Sequence, residues 1–112
     1  MGWEQGFEEE IKRAIQARTR GNEGQARVCA RRAAGIAAGE YLHRRGFAVS
    51  LVSAIDLLKE LLTLTDLDPV ILEASRNLTM RVTEEFRLPN DADLIQQAQV
   101  LADKLLNPPH EI

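Results

Sequence analysis

The chain has 112 residues, 45% apolar and 28% charged, with a formal charge of −3. That composition suits one globular domain over residues 1–112, large enough to bury roughly two-thirds of its unfolded surface without a metal or disulfide staple. The single cysteine, Cys29, excludes an internal disulfide, and no stretch reaches the roughly 20 unbroken apolar residues that a membrane span needs.

The acidic start, MGWEQGFEEE, lacks the apolar core of a secretory signal, so a cytoplasmic protein with no membrane partner is expected. Charge is unevenly spread. Residues 1–50 carry nine Lys/Arg against six Asp/Glu, giving +3, and residues 51–112 carry five against eleven, giving −6. Such a split suits packing of one half on the other, docking of a second copy, or a local anion site.

The first predicted helix covers about Trp3 to Thr19. Trp3, Phe7, Ile11, Ala14, Ile15 and Arg18 recur at spacings of three and four and form its inward stripe. Arg20-Gly21 closes it. Asn22 with Gln25 reads as a capping box, which starts a second helix running to Arg45 and stopping at Gly46. Glu23 with Arg27, and Glu40 with Arg44, are spaced to pair along that helix. No lysine followed by Ser/Thr makes Gly21-Asn22-Glu23-Gly24 a phosphate loop.

The second helix has a surface of small residues. Ala33, Gly35 and Gly39 are its candidates for close packing against another helix, of the same chain or of a second copy in a homodimer. A glycine inside a helix costs about 1 kcal/mol against alanine, which suggests a packing reason for each. Arg27 and Arg31 share a face, with Arg32 beside them. They are a solvated face or a strip facing an anion or RNA. Cys29, in an alanine-rich setting, reads as a small core residue.

A third helix is expected from Val49 or Ser50 to Leu64, apolar enough to be central, on Leu51, Ala54, Ile55, Leu58, Leu61 and Leu62. Asp68-Pro69 caps a fourth, running to about Phe86 over Ile71, Ala74, Leu78, Val82 and Phe86. Pro89 breaks it. A fifth covers about Asp91 to Leu106 on Leu94, Ala98, Leu101 and Leu105, and residues 107–112 form a loose tail. The fold class is therefore all-α, a bundle of five mostly antiparallel helices. His43 and His110 are far apart, and the two Glu-x-x-His motifs of a di-iron bundle are not present, Glu40 to His43 being a single one, so neither metal nor another cofactor is expected. Glu84-Glu85 are neighbours that do not face each other and read as solvated.

At Ser75 to Val82, SRNLTMRV, the chain resembles the HEPN family of small helical domains. The likeness extends over QARVCARRAAGIAAGEYL, SAIDLLKELL, FRLPND and LIQQAQVLADKLL. Many HEPN domains carry an Arg, often followed by Asn, and a His four to six residues after the Arg. Arg76 and Asn77 match the start, and Arg81 stands where the His would be. The resemblance implies a homodimer and metal-independent RNA cleavage, or a nucleotide-binding or toxin–antitoxin role. Arginine cannot exchange a proton near neutral pH, although it can hold a phosphate. The reading is a non-catalytic module that binds through Arg76, Asn77, Arg81, Arg27 and Arg31, with RNA or a nucleotide as ligand. The alternatives are a HEPN-type ribonuclease with an arginine-based site, and a helical adaptor for a protein partner.

Overall fold

The computed structural model describes residues 2–50, 52–80 and 93–106. They form five helices and, among the described residues, no strand: α1 (Trp3–Thr19), α2 (Glu23–Arg44), α3 (Ala54–Leu61), α4 (Pro69–Thr79) and α5 (Leu94–Leu106). The chain is an all-α bundle. No described helix is long and apolar enough to cross a membrane.

Local chemistry sets the helix ends. Gly21 and Gly46 lie at φ +80° and +91°, which lets α1 and α2 close in the same way. Gly21 N–H donates to Arg18 O and Asn22 N–H to Ala17 O, at 2.9 and 2.8 Å; Gly46 and Phe47 repeat the pattern on His43 O and Leu42 O, both at 3.0 Å. Asn22 caps α2 by accepting from Gln25 N–H at 3.0 Å. Only half of the expected capping box forms. The Gln25 amide reaches Cys29 Sγ, and the Asn22 N–H is spent on Ala17 O.

Three helices differ from expectation at their ends. Helix α3 starts at Ala54, because the Ser53 hydroxyl accepts from Asp56 N–H at 3.1 Å, and it ends at Leu61 in i→i−3 bonds. Helix α4 stops at Thr79, with Met80 extended at ψ 138°. The Thr79 hydroxyl bends back onto Ser75 O and Arg76 O, so these carbonyls are engaged from within the helix. Helix α5 starts at Leu94, since Asp93 accepts from the N–H groups of Ile95 and Gln96. The stretch holding Arg81, Val82, Glu84, Glu85, Phe86 and Pro89 lies outside the described residues, as do Leu51 and the expected tail at 107–112.

The central element is α2, not α3 as expected: α2 packs on all four other helices, whereas α3 meets α2 and α4. Its six alanines, Ala26, Ala30, Ala33, Ala34, Ala37 and Ala38, are all fully buried. Leucines fill the space around them, with Leu42, Leu58, Leu61, Leu78, Leu94 and Leu101 shut off from solvent, and one core cluster draws on every helix. Cys29 is buried, as expected. Ile15 is not: at 48% exposure it leaves the stripe assigned to it.

The small-residue face has a partner within the chain. A Cβ on Gly35 would strike the Ala54 side chain and lie 2.8 Å from its Cα; one on Gly39 would lie 3.3 Å from Leu57 Cδ1. Ala33 is fully buried in the core. The glycines therefore let α3 approach α2: the close neighbour at Gly35 and Gly39 is a helix of the same chain and not the second copy expected for Ala33, Gly35 and Gly39 in a homodimer.

Candidate functional site

The arginines of α2 do different jobs. Arg31 reaches across to the end of α4, donating from Nε to Leu78 O at 2.8 Å and from Nη2 to Met80 O at 3.1 Å. Carbonyls at the end of a helix lack intrahelical donors and carry its negative dipole end, so a guanidinium suits them twice over. Burial, and then repulsion from Arg27, pulls the Arg31 pKa below its ordinary value.

Arg27 lies one turn before Arg31 on the same face. Its expected partner, Glu23, is taken instead by Arg18, whose Nη2 and Nε meet the carboxylate at 2.7 and 3.0 Å. The same guanidinium donates from Nη1 to Asp93 at 3.0 Å, joining the end of α1 to the starts of α2 and α5. Its hydrogen bond to Glu23 is the main cause of a raised pKa for Arg18. The other expected pair, Glu40 with Arg44, forms at 2.7 Å. Arg27 is left with Nε buried and without a hydrogen-bond partner, and neither Arg27 nor Arg31 has an ion pair among the described residues.

The Arg76-Asn77 dipeptide is split by the helix. Arg76 is exposed. Asn77 is only 8% exposed, and its amide donates to Gln97 Oε1 at 3.3 Å, between α4 and α5. Asn77 therefore helps to dock α5. Arg76 shares the last turn of α4 with the carbonyl of Leu78 that Arg31 holds. Arg81 lies outside the described residues.

One feature has no sequence counterpart. A groove of about 520 Å³ opens between α1, α2 and the chain entering α3, with Trp3, Ile36, Val52 and Leu57 among its apolar walls. Glu10, Arg32, Glu40 and His43 line it too, so both signs of charge are present. It draws on three separate segments, and no local pattern marks it. Among the described residues, no group of three His, Cys, Asp or Glu is placed to hold a metal ion.

Comparison with family models, with curated proteins and with solved structures finds no match.

Proposed function

We propose that the chain is a non-catalytic, HEPN-like module, its helices mostly antiparallel, that acts as a cytoplasmic homodimer and binds a phosphate-bearing ligand, RNA foremost, on the Arg27–Arg31 face of α2. One observation carries the binding site. Two guanidiniums one turn apart lack any counter-charge among the described residues, and the capture of Glu23 by Arg18 is what leaves Arg27 so. A phosphate supplies the missing charge in a geometry that guanidinium fits. Arg76, exposed in the last turn of α4, is a third cation for the ligand. The non-catalytic part rests on Arg81 standing where the family's proton-exchanging His would be.

The test is fluorescence anisotropy with a labelled single-stranded RNA. Binding should fall steeply with salt. Arg27→Ala should weaken it and lower the salt slope by about 0.7 for each phosphate that is no longer neutralised. Arg27 is the informative position because Arg31 also holds α4 together. Unchanged binding by Arg27→Ala overturns the site. RNA cleavage by wild type that disappears in Arg76→Ala installs the ribonuclease reading. No binding of RNA or nucleotide at low salt leaves the adaptor reading.

A further inference from the structure

The outer face of α1 has an order to its charges. Glu4, Glu8 and Glu9 come first, then Lys12 and Arg13, and all are exposed. The helix dipole explains Glu4, but its influence fades within the terminal turns and does not reach Glu8, Glu9, Lys12 or Arg13 in mid-helix. Among the described residues, Glu8, Glu9 and Lys12 have no ion pair, and Arg13 has only a long 3.4 Å contact with Glu10. Ile15, on the same helix, is the most exposed large apolar side chain described. Trp3 and Phe7, packed edge to face with centroids 5.7 Å apart, help line a groove of about 460 Å³ against Val100 and Ala102 of α5.

Resting on the self-association reading above, we propose that the homodimer forms through α1, two copies laying these helices antiparallel across a two-fold axis. A face that runs from acidic to basic is complementary to itself when reversed, and clashes with itself when parallel. With the axis level with the Glu10–Ile11 step, Glu8 stands opposite the partner's Arg13 and Glu9 opposite the partner's Lys12, each pair occurring twice. The same register brings Ile15 level with the partner's Gly6, at the rim of the groove that the partner's Glu4 and the partner's Glu8 form. The exposed isoleucine is then covered by the partner's helix. The ion pairs set register and direction, and the isoleucine contributes burial that exposed pairs cannot supply.

Sedimentation velocity of the full chain at tens of micromolar tests this. Wild type should be a dimer that dissociates with added salt. The double variants Glu8→Lys/Glu9→Lys and Lys12→Glu/Arg13→Glu should each dimerise about tenfold or more weakly. Mixed one to one they should form a heterodimer, because every cross pair is then of opposite sign. The fourfold variant carrying both changes should restore the homodimer. Ile15→Asp should give a monomer with an unchanged far-UV circular dichroism spectrum, since the residue is outside the core. A dimer unaffected by all of these overturns the α1 interface and leaves self-association standing on another face. A wild-type monomer overturns both.

Discussion

The carboxylate of Glu23 is held by Arg18, five residues before it in the chain, and not by Arg27, one turn further along its own helix. A turn-spanning contact thus defeats a helical one. Gly21 allows this by turning the chain sharply enough to bring the first turn of α2 beside the last turn of α1. The outcome joins three helix ends at one guanidinium and frees the charge on Arg27.

That junction gives a pH prediction. Burial works against the charged form of Asp93, but the Arg18 guanidinium and the N–H groups of Gln96 and Ile95 outweigh it and hold the carboxyl below its ordinary 3.8. The folded-state pKa lies below the unfolded one, so this stabilisation is complete above the unfolded value and is lost as pH falls through the folded one. Both side chains are more than a third exposed, so the pair contributes about 0–1 kcal/mol. Asp93→Asn should keep the cap and flatten the acid limb of stability in urea titrations from pH 7 to 3. Asp93→Ala should lose about 1 kcal/mol more, with the cap.

Gly35 and Gly39 should respond in opposite directions. Alanine at Gly35 collides with backbone and Cβ at Ala54, so Gly35→Ala should cost about 1–3 kcal/mol despite its better helix propensity. Ala54→Gly in the same chain removes the Cβ clash and should rescue it only in part, because the 2.8 Å approach to the Cα of residue 54 remains. Gly39→Ala meets only the flexible end of Leu57 and should be neutral or up to about 1 kcal/mol stabilising. Denaturant midpoints check all three.

Arg31→Ala should fray the end of α4, leaving Leu78 O and Met80 O without their donor at a cost of about 1–3 kcal/mol. Hydrogen exchange should quicken at residues 76–79 while α2 amides remain protected. Arg31→Lys offers one charged point where two directed donors are needed, and it should recover only part of the stability.

Ser53→Ala should cost about 1 kcal/mol by removing the cap on Asp56 N–H. Helix α3 has eight residues, so the effect should appear first as faster exchange along α3 and only then as a lower midpoint.

Much of the fold is legible in the sequence because caps and glycines act locally. The chain from Asn22 to Gly46 carries its own start and stop, and the structure follows them to within a residue. The inner faces of α4 and α5 are equally plain at Ile71, Ala74, Leu78, Leu94, Ala98 and Leu101. The start of α3 is harder to place although Ser53 and Asp56 form a capping pattern, because the apolar run before them masks it. Asp93 and Gln96 carry the same hidden signal for α5. The site is far less legible. Arg31 stands 47 residues from Leu78 in the chain, and nothing near Arg31 announces that it will hold the end of another helix. Arg76 and Asn77, adjacent in sequence, separate because one step along a helix turns a side chain from solvent to core.

The alanines of α2 give the protein an unusual relation to substitution. Alanine has no rotamers to freeze on folding, so the most crowded part of the core is ordered at no cost in side-chain freedom. It also has almost nothing to remove. Most cores fail by losing volume, leaving cavities that neighbours partly fill. At Ala26, Ala30, Ala33, Ala34, Ala37 and Ala38, all shut off from solvent, nearly every replacement adds atoms where four other helices already press. The spacing of the helices about α2 is thus held by the smallness of these side chains, and a single added methyl must displace a whole helix or be refused.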